Sequence, residues 1–230
     1  MPALVAAPPS PEWELLPVPA NATPVEGAAI PEAFLTAYDA LAARARVRPG
    51  ERVLIHAVGS GVGTAAVQLA KWMGATVIGT SRTPAKLAGA RQLGMDEGID
   101  TSGGFAAGAV EPVDVVLDFF GGPALAANLE ALRLRGRLVL LGTLQGGSAP
   151  SLDVGRILRN RLEIIGTVMR PRAAAERADV VRRFRAEVLP ALEAGRLAPV
   201  VAEVFPFERI REAHAAMESN AVFGKIVLTW

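Results

Sequence analysis

Residues 53–75 read VLIHAVGSGVGTAAVQLAKWMGA. An apolar, strand-forming run passes through Gly59, Gly61 and Gly63 directly into an alanine-rich helical stretch. A strand that turns straight into a helix leaves the first helical amides without intrahelical partners, at the positive end of the helix dipole and facing the turn. Glycines at such a turn allow close backbone approach, so a pyrophosphate fits there. The spacing G-x-G-x-G departs from the full G-x-G-x-x-G fingerprint. Its position, on the first strand-to-helix turn of a series, carries the reading. Ser60 is not an elbow nucleophile, because G-x-S-x-G would need glycines where this chain has Val58 and Val62.

Outward from that stretch, β-branched runs at 52–57, 76–80, 97–99, 113–118, 137–142 and 162–169 predict six strands. Helical runs at 63–72, 84–93, 124–134 and 154–160 separate them. Residues 101–112, TSGGFAAGAVEP, are too glycine-rich for a helix and make one crossover irregular. Right-handed crossovers then give an α/β fold with a doubly wound parallel sheet and helices on both faces. The tail predicts a helix over about 173–194, a strand near Val200, a helix over 208–218 and a last strand over 225–228.

Upstream, Pro2, Pro8, Pro9, Pro11, Pro17, Pro19, Pro24 and Pro31 deny the backbone amides that helices and central strands need. They predict an irregular lead-in whose Leu4, Val5, Trp13, Leu15, Leu16 and Val18 require a surface to pack against. A helix starts at Pro31, with Phe34, Leu35, Tyr38 and Leu41 on one face, and Arg48-Pro49-Gly50 closes it. The chain divides into a remnant at 1–30, a nucleotide-binding unit at 31–195 and a return segment at 196–230.

Of the 230 residues, 51% are hydrophobic and 20% charged, enough apolar material for a sizeable core. Lysine and arginine total 24 against 23 acids, interspersed, which gives no footprint for nucleic acid. Cysteine is absent, and His56 and His214 stand far apart, so thiolate zinc sites, disulfides and histidine metal sites are not expected. No apolar run approaches a membrane span and no charged leader region opens the chain, so a cytoplasmic, membrane-free protein is expected.

The second predicted strand ends in Gly79-Thr80-Ser81-Arg82, where an NAD-specific site places an acid on the ribose hydroxyls. No acid is there. Arg82, Ser81 and Lys86 instead offer donors to a 2′-phosphate, which points to NADPH. Gly121-Gly122 and Gly142-Thr143 follow two further strands and share their carboxyl edge. His56, His214, Asp118 and Tyr38 are read as structural, with Tyr38 placed to line a ring pocket.

The strings AAIPEAFLTAYDAL (28–41), VLIHAVGSGVGTAAVQLAK (53–71), VDVVLDFFGG (113–122), GRLVLLG (136–142) and AHAAMESNAVFGKIVL (213–228) resemble the zinc-free quinone oxidoreductases of the medium-chain dehydrogenase/reductase superfamily. Within it they look most like the p53-inducible NADPH-quinone reductase branch. The resemblance implies a six-stranded Rossmann domain that binds NADPH and passes hydride to a quinone or enone without a metal. It places Thr36 near the nicotinamide ribose and the amides of the Gly59, Ser60, Gly61, Val62 and Gly63 turn on the pyrophosphate. Ser81, Arg82 and Lys86 fall around the adenosine phosphate, and Gly121, Gly142, Thr143 and Leu144 beside the nicotinamide. Thr101 stands on the adenine side, where relatives often carry a tyrosine. No catalytic side chain is implied. The resemblance further implies that most of a GroES-like lid domain is missing, so that cofactor binding outlasts catalysis, and that a homodimer pairs through the edge strand 162–169. An enoyl-thioester reductase and a non-catalytic NADPH-binding or dimerisation module are the alternatives.

Overall fold

The computed structural model describes residues 11–230; Leu4 and Val5 lie outside them. A six-stranded sheet in the order β3-β2-β1-β4-β5-β6 forms the centre. β1 (Arg52–Ile55) pairs in parallel with β2 (Thr76–Ser81) on one side and β4 (Val113–Asp118) on the other, with Val53 beside both Val77 and Val115. β3 (Glu97–Asp100) and β6 (Glu163–Gly166) form the edges, β5 (Leu132–Leu140) joins β4 to β6, and α6 (Val154–Asn160) lies between β5 and β6 in the chain.

Both faces of the central strands are covered, which is why RVLI and VDVVLD read as nearly continuous apolar runs. Alternate residues go to opposite faces. Val53, Ile55, Val115 and Leu117 pack under α2 (Pro31–Tyr38), α3 (Gly61–Trp72) and α7 (Ala174–Glu187), whereas Leu54, Val116 and Leu138 join Leu129 of α5 (Leu125–Ala131).

The approach of α3 to β1 is set at Gly63. A Cβ there would lie 2.4 Å from the Ala57 carbonyl oxygen and 2.8 Å from Val58 Cα, backbone that has nowhere to go. Ser60 caps the helix, its Oγ accepting from the Gly63 amide at 3.0 Å.

The side chains of Asp39 and Arg172 are both buried and paired, Arg172 Nη1 donating to Asp39 Oδ1 at 2.9 Å. Thr167 Oγ1 adds a bond to Asp39 Oδ2 at 2.7 Å. Burial alone would raise the Asp39 pKa, but the Arg172 and Thr167 hydrogen bonds and the Arg172 and Arg44 charges hold it below the ordinary carboxylate value. This cluster ties the π-helical turn Asp39–Arg44, which continues α2, to the segment that leaves β6.

Several boundaries differ from the sequence expectation. The lead-in is not wholly irregular: Pro24–Ala29 forms α1, because Pro24 sits at the first helical position and Thr23 with Glu26 builds a capping box. The helix expected over 124–134 ends at Ala131, and Leu132 already pairs with Val113; Arg135, at φ 62°, bends β5 before the main register resumes at Arg137. The edge strand is four residues, not the eight of 162–169, since Thr167 is drawn into the Asp39 cluster. Pro190 splits the expected 173–194 helix into α7 and α8 (Leu189–Glu193). The last two strands, β7 (Val201–Pro206) and β8 (Lys225–Thr229), flank α9 (Ile210–Glu218) and form a parallel two-stranded sheet of their own.

His56 follows β1 and is fully buried. Asn128 Oδ1, 2.7 Å away, can only accept, so Nε2 carries the proton and Nδ1 accepts from the Thr80 hydroxyl at 2.9 Å. Phe105 and Phe120 enclose the ring, at centroid distances of 4.9 and 5.3 Å. Burial lowers the His56 pKa, outweighing the Asn128 bond and the Asp118 carboxylate, which raise it.

Gly63→Ala forces a Cβ into backbone and costs about 1–3 kcal/mol of stability; an unchanged urea midpoint would show that the packing relaxes freely. The unfolded chain protonates His56 near pH ~6.5 and the folded chain only below that, so the unfolded state binds the extra proton in between and stability falls as pH drops below ~6.5. Melting temperatures measured from pH 7.5 down to 5 will therefore fall more steeply for the wild type than for His56→Gln, and parallel profiles would count against the assignment.

Candidate functional site

At the carboxyl edge of the six-stranded sheet the chain turns to opposite faces from β1 and β4, which opens a crevice between the two following loops. A cavity of about 580 Å³ occupies it. Gly59, Ser60 and Gly61 form its floor at the start of α3. Ser60 Oγ takes the Gly63 amide and the Ser60 carbonyl takes that of Thr64, so the Gly61 and Val62 amides, first in the helix, have no acceptor inside it.

Because β2 and β3 lie on one side of β1, their ends bring Ser81, Arg82 and Thr101 to the same cavity. The Ser81 hydroxyl accepts from the Thr83 amide at 3.1 Å, starting the turn into α4 (Pro84–Gln92), and Lys86 projects from the first turn of that helix. Burial, and then the neighbouring Arg82 charge, lower the Lys86 pKa. A cation held at such a cost is relieved by an incoming anion. On the other side of β1, the loops after β4 and β5 supply Phe120, Leu144 and Gln145. Asp118 shapes the first of these loops by accepting from the Phe120 amide at 2.9 Å and the Gly121 amide at 3.0 Å.

Of the residues proposed from sequence, Gly59, Ser60, Gly61, Ser81, Arg82, Lys86, Thr101 and Leu144 come together around one cavity. The others do not line it. Val62 and Gly63 belong to the first turn of α3, with Gly63 serving helix–strand packing. Gly121, at φ 90°, lies against Gly142 and Thr143, so these three build the β4 and β5 loops rather than the cavity wall. Thr36 is part of α2 and stands off the cavity. Tyr38 is buried, its hydroxyl donating to Glu187 Oε2 at 2.7 Å, and lines no ring pocket.

Sequence reasoning missed the far wall. Met217, Asn220, Val222, Gly224, Lys225 and Ile226 come from the end of α9 and the start of β8. The Gly224 amide donates to the Gly59 carbonyl at 3.0 Å, which pins this segment to the glycine turn. Gly224 has φ 103° and a Cβ would lie 2.4 Å from the Val200 carbonyl oxygen, so no other residue fits there without strain. The Gly-Lys pair in a lysine-poor tail was the available signal. Among the described residues three cations, Arg82, Lys86 and Lys225, line the cavity and no carboxylate does. A dinucleotide with a diphosphate and a further phosphate matches that donor set, and the turn at Gly59 and Gly61, over which only the Lys86 and Lys225 stems lie, supplies its floor.

A family profile described as zinc-binding dehydrogenase matches residues 61–185. The spectinabilin polyketide synthase system protein NorB of Streptomyces orinoci is 36% identical over 224 residues, 94% of this chain and 10% of that protein. The 2-haloacrylate reductase of a Burkholderia species is 34% identical over 194 residues, 80% of this chain and 56% of that one. Among solved structures, the quinone oxidoreductase from Thermus thermophilus, also determined in complex with NADPH, aligns with a TM-score of 0.81 at 35% identity, covering 94% of this chain and 69% of that chain. The chain thus spans a tenth of the synthase and 56% of the curated reductase. Zinc, which the family's name implies, does not fit the residues present: the sequence has no cysteine, and among the described residues no three His, Cys, Asp or Glu side chains come together. No described helix is long and apolar enough to cross a membrane.

Proposed function

The chain belongs to the zinc-binding dehydrogenase family, within the medium-chain dehydrogenase/reductase superfamily of NADP-binding oxidoreductases, and on that premise we propose that it binds NADPH in the crevice and serves hydride transfer to a quinone. The observation that carries this reading is the convergence of Arg82, Lys86 and the free amide of Gly61, with that of Val62 next in the same helical turn, on one cavity whose lining among the described residues holds no carboxylate.

The residues divide the work by position along the sheet edge. The Gly61 and Val62 amides hold the diphosphate at the helix N-terminus. Arg82 and Lys86 hold the 2′-phosphate, Arg82 by its planar fork of donors and Lys86 as a point charge. Thr101 and Ser81 border the adenosine, and Phe120 and Leu144 lie toward the nicotinamide. When bound, NADPH supplies a hydride.

A second reading is favoured by the 34% identity to a 2-haloacrylate reductase. Quinones and activated alkenes share a conjugated C=C–C=O unit, and in both a hydride adds to carbon or oxygen while water supplies the balancing proton. Hydride transfer needs the acceptor aligned and water excluded. Leu144 is 78% exposed, so this chain's own residues leave the nicotinamide side open. Binding is accordingly the stronger property, and quinone reduction by this chain alone is slow.

We further propose a homodimer through β6, which has one exposed charge, Glu163, paired with Arg46, and an exposed Ile164 at the sheet edge, whereas the opposite edge strand β3 carries two exposed charges, Glu97 and Asp100. Light scattering at micromolar concentration will give twice the chain mass for the wild type and the single mass for Ile164→Lys; a monomeric wild type overturns this.

For the cofactor, fluorescence titration will find NADPH bound at least roughly tenfold more tightly than NADH, and Arg82→Ala will bring the two within about twofold. Equal affinities in the wild type would remove the 2′-phosphate assignment, and binding of neither would remove the whole reading. Parallel assays with a quinone and an enoyl thioester separate the two acceptor classes.

A further inference from the structure

The floor of the crevice is covered by two lysine side chains. A Cβ on Gly61 would lie 2.2 Å from Lys225 Cδ, and one on Gly59 would lie 2.4 Å from Lys86 Cδ. The space that the glycines leave open is therefore filled by lysine methylenes. The two ammonium groups are parked differently. Lys86 Nζ donates to the Asn220 carbonyl at 2.5 Å, whereas Lys225 Nζ is paired with Glu32 Oε2 at 2.6 Å, across from β8 to the first turn of α2.

The Lys225 backbone is fixed, whereas beyond its contact with Gly61 the tip of its side chain is held by the Glu32 pair. Its amide donates to the Val200 carbonyl at 2.8 Å, and its neighbour Gly224 bonds to Gly59. The ion pair with Glu32 is weakly held, for the Glu32 side chain is 64% exposed. A diphosphate that reaches the Gly61 and Val62 amides has to displace the shaft of Lys225, and the flexible stem then carries the ammonium to the phosphate oxygens. Two phosphate charges seated on helix amides compete well with one solvated carboxylate.

We propose that Lys225 is a diphosphate-binding residue held in reserve by Glu32, and that Glu32 is a built-in competitor which lowers the affinity of the crevice for a dinucleotide. This rests on the NADPH reading above. It gives the two partners of one ion pair opposite effects on binding, which a purely structural bridge does not. If the pair only joined α2 to β8, removing either side chain would act in the same direction.

The test is a set of binding constants for Lys225→Met, Glu32→Gln and the double variant, each checked for native fold by circular dichroism. The probes are NADPH, by fluorescence titration, and 2′-AMP, by calorimetry, which carries the adenosine 2′-phosphate and no diphosphate. Lys225→Met will weaken NADPH roughly tenfold and leave 2′-AMP unchanged. Glu32→Gln will tighten NADPH by roughly threefold and also leave 2′-AMP unchanged. In the Lys225→Met background, Glu32→Gln will have no effect. The proposal is overturned if Lys225→Met leaves NADPH binding within about twofold of the wild type, if both probes weaken together, or if Glu32→Gln weakens NADPH. Because Glu32 is at the surface, its variant decides the matter even where Lys225→Met folds poorly. Wild-type protein that binds neither probe would instead defeat the cofactor reading itself, and this inference with it.

Discussion

The contact of backbone with backbone at Gly63 governs the rest of the site. Where α3 follows the end of β1 there is no room for a single methyl group, so the first turn of the helix is held against the strand end with its amino end at the sheet's carboxyl edge. Two things follow from that direction. The unpartnered amides of Gly61 and Val62 face the opening between the β1 and β4 loops, and the helix dipole places its positive end there.

On this frame the electrostatics come from arrangement and not from abundance. The chain is nearly balanced, with 24 basic and 23 acidic residues, yet the crevice gathers three cations and excludes carboxylates from its lining. The acids near it are turned to other tasks: Asp118 holds the Phe120 and Gly121 amides, and Glu32 holds Lys225 from outside. A concave, partly dehydrated surface of one sign concentrates field that the overall charge does not reveal.

The sheet was legible in the sequence because each central strand is buried on both faces and announces itself as an unbroken apolar run between glycine or proline breaks. The β1–α3 turn was legible for the same reason, together with Arg82 and Lys86, which lie a fixed distance beyond it. What escaped was whatever depends on partners remote along the chain. The shortening of β6 follows from Thr167 bonding to Asp39, which leaves no local pattern, and the far wall of the crevice from Gly224 bonding to Gly59, whose one local trace is the Gly224-Lys225 pair. Thr36, Gly121, Gly142 and Thr143 were placed by resemblance, and in this chain they stand off the cavity, Thr36 within α2 and the other three where the β4 and β5 loops pack upon each other. Pro24 misled for a different reason: proline density argues against helix interiors but not against a first helical position.

The wall built by Met217 to Ile226 has a consequence for how the protein is made. During synthesis the glycine turn and α3 leave the ribosome long before β8, and until β8 follows the nascent polypeptide carries half a pocket. Domains acquire structure as they emerge, from the amino end onward. Under the proposed reading, a dinucleotide would gain its full grip only after β8 is translated and folded back, so its capture would mark the completion of this pocket rather than guide its early stages.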